Sequence, residues 1–337
     1  MIIRKIIFIF LLLMIFEGCT TQNNEVIIYC ALDRSYSEQI LQDFENETGI
    51  NVKAFYDTEL TKTVGLVNRI IGESSGPKCD VFWNNEISRT IVLKNKQLIT
   101  PYISSNAADI QNEFKDPEGY WTGFAARARI IIYNKGKFAE AVLPSSIFNL
   151  IDPVWRGKAA MAYPIFGTTA THAAALFEKL GTENALSFFK KVNENNIAIL
   201  DGNATVRDQV VNGLYWWGLT DTDDANGAIE DGKNVGIIYP DQGEDELGTL
   251  IIPNTISIIK NGPNPDNARK LVDYILRMET EETLANSRAA QIPLRTKIKV
   301  PEKVMDITRY KQMKVDYGRV SENMEVTTKY LMEIFVK

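Results

Sequence analysis

"VIIYCALDRSYSEQILQDFENETGINVKAF", residues 26–55, is the stretch on which the fold assignment turns. Val26–Tyr29 is a short apolar run, and the turn "CALDR" follows it. From Ser35 the spacing becomes helical, with Ile40, Leu41 and Phe44 recurring on one face. Ser35 and Glu38 stand as the two halves of a capping box, and Gly49 offers the left-handed stop. Residues 50–55 then read as a second strand. Strand, helix and strand in one such stretch make a βαβ unit, with parallel strands and a right-handed crossover.

The same grammar recurs along the chain. "CDVFW" (79–83) reads as a strand and "SRTIVLKNKQL" (88–98) as a helix. "ARIIIYN" (128–134) is another strand, and "AAMAYP" (159–164) leads into the helix "THAAALFEKLG" (171–181). "LYWWGLT" (214–220) leads into "DANGAIEDG" (224–232). "GTLIIPNTISIIK" (248–260) is strand-rich, and "NPDNARKLVDYILRM" (264–278) starts a helix at Pro265. Alternating elements imply an α/β fold with mainly parallel, doubly wound sheets. Across 337 residues that means two lobes rather than one large sheet. No internal repeat interrupts the pattern.

Residues 1–18 stand apart. Arg4 and Lys5 precede the apolar run Ile6–Phe16, then come Glu17, Gly18 and Cys19, which describe a secretory signal. A Cys directly after a small residue also resembles the bacterial lipobox, whose thiol is lipidated, although Phe16 and Glu17 depart from its usual residues. An uncleaved N-terminal anchor is the alternative. Either way the body is expected outside the cytoplasm, on the periplasmic or extracellular face of the cytoplasmic membrane and held there, by lipid at Cys19 in the first case and by the anchor in the second. The formal net charge is −6, and loss of Arg4, Lys5 and Glu17 makes it one unit more negative. Such a balance argues against nucleic acid and anionic lipid as partners. Beyond Cys19 only Cys30 and Cys79 remain, as buried free thiols or one optional bridge, and they make no metal motif.

In open α/β sheets, ligands bind beyond the carboxyl ends of the strands. Polar residues stand there at Asp33, at Asn84-Asn85-Glu86, at Gly167-Thr168-Thr169, at Asn203, and at Asp221, Asp223 and Asp224. Singly, such residues read as helix caps. The Asp221–Asp224 cluster is different, because one cap uses one carboxylate and crowded carboxylates repel unless a cation relieves them. Gly167–Thr169 opens a helix with free N–H groups and two hydroxyls, which suits an oxyanion. Arg127 and Arg129 follow in the strand entry, and one of them suffices to complement that anion. The cluster is no EF-hand, since Ala225, Asn226 and Gly232 fall where such a loop needs an oxygen ligand, glycine and glutamate. Trp216 and Trp217 read as core, or as an aromatic face for a cation.

Catalysis finds little support. His172 is the single histidine and sits in an Ala-rich helix as half-buried packing, so no Ser-His-Asp or Cys-His arrangement is available. Carboxylate-dependent hydrolysis remains the enzymatic alternative.

Taken in order, "VIIYCALDRSYSEQILQDFENETGINVKAFYDT", "KCDVFWNNEI", "WTGFAARARIIIYN", "SIFNLIDPVWRGKAAMAYPIFGTTATHAAAL", "NGLYWWGLTDTDDA" and "GTLIIPNTISIIKNGPNPDNARKLVDYIL" resemble bacterial extracellular solute-binding proteins of the ferric-iron-binding type. The resemblance runs to about Arg295. It implies two lobes of the type II periplasmic-binding kind, joined by hinge strands, which close on a ligand and deliver it to an ABC permease. The first lobe is expected over 26–126 with 249–290, and the second over 127–248 with 291–337. The resemblance also implies a monomer with no catalytic cofactor, carrying ferric ion with a bound anion such as carbonate or phosphate. The family's adjacent metal-binding tyrosines fall at Asp223 and Asp224, a first-strand histidine at Asp33, and a glutamate at Asn85 with Glu86 beside it. Its anion-binding turn falls on Gly167–Thr169, the partner asparagine on Asn203 and the hinge arginine on Arg127. Asp33, Glu86, Asp223 and Asp224 are therefore the expected metal ligands, with Asn85 and Asp221 at the same site. Carboxylates in place of phenolates leave the cargo open between ferric ion and a small organic cation or zwitterion, such as a polyamine or amino-phosphonate.

Overall fold

The computed structural model describes residues 24–57, 64–138 and 142–336. Residues 1–18, read above as a secretory signal, and Cys19 lie outside the described residues. The opening unit forms as read: β1 (Glu25–Cys30), α1 (Arg34–Thr48) and β2 (Asn51–Tyr56), with β1 and β2 parallel. Ile40, Leu41 and Phe44 are the buried face of α1, and Gly49 ends it at φ 68° with its N–H bonded to the Glu45 carbonyl. The Ser35–Glu38 capping box does not form. The helix starts one residue earlier, at Arg34, and Arg34 Nε instead donates to Glu38 at 2.9 Å.

The first lobe continues through α2 (Val64–Gly72), β3 (Val81–Asn84), α3 (Ser88–Asn95) and β4 (Ile99–Thr100). Then comes the long strand β5 (Thr122–Asn134). It starts well before the expected position 128. Gly123, Ala125, Ala126 and the two arginines carry no strand signal, but burial on both faces makes them strand all the same. The second lobe brings β6 (Ala159–Ala162), α4 (Gly167–Leu180), α5 (Thr182–Glu194), β7 (Ala198–Leu200) and α6 (Asn203–Val211). It goes on through β8 (Trp217–Asp221), α7 (Thr222–Glu230) and β9 (Val235–Ile238). The chain then returns by β10 (Ile251–Ile259) to α8 (Pro265–Ile275), α9 (Met278–Asn286) and the C-terminal helix α10 (Tyr317–Phe335).

The strands run in the order β2-β1-β3-β10-β5-β8-β6-β7, with β4 on β10 and β9 on β5. Within each lobe the neighbours β2-β1-β3 and β8-β6-β7 are parallel, as the βαβ grammar requires. β5 joins the two halves: Thr122–Ala128 pairs with β10, and Arg129–Tyr133 pairs with β8. The pairing shifts register at Pro253/Asn254, so Ala125 bulges at φ 38°, its N–H held by buried Glu281 at 2.6 Å. The fold is thus two α/β lobes joined by hinge strands. The lobe limits given above remain a proposal. Ile292, Leu294, Val304, Met305 and Ile307 pack into the cluster around β1, β3 and β10, whereas Met313 and α10 pack on the second lobe. Trp217 is fully buried core, and Trp216 packs against Phe138 and Trp155. Cys30 and Cys79 are free, buried in different clusters. Among the described residues no helix is long and apolar enough to cross a membrane.

Candidate functional site

β6, β7 and β8 are adjacent parallel strands, and each turns at its carboxyl end into a helix. The N-termini of α4, α6 and α7 therefore converge on one place. The first N–H groups of a helix have no acceptor within it, and the helix dipole adds partial positive charge there. Gly167 adopts φ 52°, a left-handed conformation that a side chain resists, and so lets α4 start hard against Phe166. From the first lobe, the β1–α1 turn brings Asp33 and Tyr36, and the β3–α3 turn brings Asn85. Together they enclose a polar cavity of about 120 Å³.

Gly167, Thr168, Thr169, Asn203, Arg127, Asp221, Asp223 and Asp224 line the same cavity, so the structure gathers nearly every residue singled out above. Asp221, Asp223 and Asp224 each place one carboxylate oxygen within 4.8 Å of the others. Like charges so close need compensation, and an arginine stands at each. Arg129 Nη1 lies 2.6 Å from Asp221, Arg127 Nη2 3.4 Å from Asp223, and Arg207 Nη1 3.3 Å from Asp224. Sequence reasoning needed only one of Arg127 and Arg129 at the site. Residues two apart on a strand share a face, and both reach the acidic cluster.

The three pairs differ in kind. Asp221 is the floor. Its second oxygen accepts from Thr168 Oγ1 at 2.6 Å and from Asn203 Nδ2 at 2.9 Å, while Arg129 Nη1 also reaches Asn203 Oδ1 at 3.1 Å. With both oxygens engaged, Asp221 is the most firmly held carboxylate of the cluster, and it lines the cavity with Asp223 and Asp224. The Arg127–Asp223 and Arg207–Asp224 pairs are longer, and the Asp224 pair is partly exposed. Burial opposes the charge on Arg127, but Asp223, Asp221, Asp33 and Asp224 outweigh it and keep the guanidinium firmly protonated. Burial, aided by Asp223, Asp33 and Asp224, pushes the Tyr36 phenol up to about 12.

Glu86 needs a correction. It is fully buried and does not line the cavity, because its carboxylate turns back to accept from the N–H groups of Ser88 (2.8 Å) and Arg89 (3.0 Å). A free first turn of α3 attracts the nearest carboxylate, and that removes Glu86 from the set of metal ligands. His172 is fully buried, not half-buried, and burial and then Arg129 hold its pKa well below the ordinary value.

Tyr36, Phe166, Asp201 and Arg207 also line the cavity and were not singled out as site residues, and Tyr163, a strand-end tyrosine able to supply a phenolate, lines it too. Arg207 was legible: it stands four residues after Asn203, on the same face of α6.

The family described as bacterial extracellular solute-binding protein matches residues 87–318. Iron uptake protein A1 of Synechocystis is 24% identical over 324 residues, 93% of this chain and 87% of its own. Iron-bound HitA from Pseudomonas aeruginosa superposes with a TM-score of 0.83 at 23% identity, covering 93% of this chain and 99% of that one. The periplasmic binding protein AfuA from Actinobacillus pleuropneumoniae, solved with fructose-6-phosphate bound, gives 0.81 at 22%, with 93% and 99% covered.

Proposed function

The chain belongs to the bacterial extracellular solute-binding protein family, and on that premise we propose that it is the receptor of an ABC importer whose cargo is ferric ion held with an anion in the inter-lobe cavity. The observation that carries the reading is the division of that cavity. Asp33, Asp223 and Asp224 offer hard carboxylate oxygens, and the N-termini of α4 and α6 offer N–H donors to an anion such as carbonate or phosphate. Iron must displace the arginines from the carboxylates. The 3.4 Å and 3.3 Å pairs of Arg127 and Arg207 are the ones able to exchange, each arginine turning from its carboxylate to the anion. Asp33 comes from one lobe and Asp223 and Asp224 from the other, so the cargo stabilises the closed state by its differential affinity for it. Iron uptake protein A1 and HitA support this assignment.

A second reading has its own observation. Every carboxylate of the cluster already faces an arginine, so the wall is close to balanced and suits a cargo bearing both signs, such as an amino-phosphonate or another small organic phosphate. AfuA with its bound sugar phosphate favours it. A carboxylate-dependent hydrolase is set aside, since the family is one of solute carriers. In this reading the chain is a monomer tethered by lipid at Cys19 on the outer face of the cytoplasmic membrane, where it meets its permease.

The test is metal content. The chain from residue 20 onward is loaded with ferric citrate, desalted and assayed by elemental mass spectrometry. About one iron per chain, lost on Asp223→Asn/Asp224→Asn, bears out the ferric reading. No retained iron, with a rise in melting temperature on adding an amino-phosphonate, decides for the second.

A further inference from the structure

Glu86 and Thr171 stand on opposite lobes, both fully buried, and are joined by a hydrogen bond from the Thr171 hydroxyl to Glu86 Oε2 at 2.9 Å. Glu86 belongs to the β3–α3 turn of the first lobe, and Thr171 to α4 of the second. A second bond lies beside it: Ser321 of α10, the helix packed along α4, donates to the Ser88 carbonyl at 2.8 Å. The location matters. Asn85, one residue before Glu86, lines the cavity, and Thr171 lies one helical turn beyond Gly167 and Thr168, which also line it.

We infer that the Thr171–Glu86 hydrogen bond is the latch of lobe closure, and that Glu86 and Thr171 are positioning residues that set how firmly the receptor holds its cargo. The inference rests on the solute-receptor reading but not on the identity of the cargo. The bonds from Ser88 and Arg89 to Glu86 are internal to the first lobe and survive opening. The Thr171 bond, and with it the Ser321 bond from α10, must break when α4 draws away. Cargo that pulls the N-terminus of α4 towards Asn85 brings Thr171 onto Glu86, so the latch adds to closed-state stability without touching the cargo. A buried hydrogen bond to a charged group shifts such an equilibrium by about tenfold or more.

The test uses Thr171→Val, which removes the hydroxyl and keeps the shape, and Thr171→Ser, which restores the hydroxyl. Spin labels on Asn46→Cys and Glu183→Cys, exposed positions on the two lobes, report inter-lobe distances with no cargo and with ferric citrate. The expected result is a roughly tenfold rise in the open-to-closed ratio for Thr171→Val, with Thr171→Ser close to wild type. Thr171→Ala serves as the second variant should Val disturb the packing of α4. The cargo-free distances need no iron, so failure of the ferric reading is distinguishable from failure of the latch. Distance distributions for Thr171→Val and Thr171→Ala that match wild type in both conditions overturn the inference. So does a shift for Thr171→Ser as large as that for Thr171→Val.

Discussion

Asp221 and Asp224 sit three residues apart, both facing arginine, and yet their loss should differ several-fold in its cost to stability. The Asp221–Arg129 pair is 2.6 Å long with side chains 2% and 0% exposed. Asp221→Asn removes the counter-charge from a guanidinium that has no route to water. It also turns an amide N–H₂ towards Asn203 Nδ2 and Thr168 Oγ1, the groups that donate to that oxygen now. Breaking one partner of such a buried pair costs about 3–5 kcal/mol, a large part of the roughly 5–15 kcal/mol that holds a protein folded. Asp224 lies 3.3 Å from Arg207, with side chains 18% and 28% exposed, so water replaces what the pair loses. Asp224→Asn should therefore cost no more than about 1 kcal/mol. Urea unfolding of the cargo-free protein measures both. The cycle is completed with Arg129→Met: the double variant with Asp221→Asn should be more stable than the sum of the single losses predicts, by at least about 1.4 kcal/mol, because no orphaned charge remains. An Asp221→Asn variant within 1 kcal/mol of wild type, or strict additivity in the cycle, would falsify the assignment of Asp221 as the floor.

Gly167→Ala meets no atom within 4 Å of the added Cβ, so its cost is the backbone strain at φ 52° alone, about 1 kcal/mol by thermal unfolding. A loss several times larger would mean that α4 does not start there. Asp241 is pushed up to about 6 by burial, against hydrogen bonds from the Ser146 hydroxyl and the Ile147 N–H. Its folded pKa lies above the ordinary 3.8, so its contribution to stability is fully present below pH 3.8 and is lost as pH rises through about 6. Asp241→Asn should flatten the stability profile across that window, and an unchanged slope would refute the burial argument.

Much of this architecture is legible in the chain. Short apolar runs followed by helical spacing locate β1, α1, β2, β3, β6 and β8, though not β7 or β9, and the strand ends mark where the cavity lies. The part that escapes is competition for hydrogen bonds. Glu86 looks as available as Asp33 until the free N–H groups of Ser88 and Arg89 claim it. Asp221 looks like its neighbours until Thr168 and Asn203, distant in sequence, converge on it. Local pattern names the turns, but only packing decides which carboxylate is already satisfied. The first half of β5 escapes for another reason. Small residues and two arginines become strand only because partners on both sides demand it.

The two cysteines carry a practical consequence. Cys30 and Cys79 are sealed in separate hydrophobic clusters, and burial pushes the Cys30 thiol up to about 12 and raises the Cys79 thiol as well. Thiolate is the reactive species, so neither residue meets an oxidant or an alkylating reagent in the folded state. Among the described residues no cysteine is exposed, so in a chain that starts after Cys19 a cysteine engineered onto the surface is the one that a dye or spin label will find. Each lobe can thus be tagged with no native residue removed, which makes the receptor a natural chassis for an optical sensor of its own cargo.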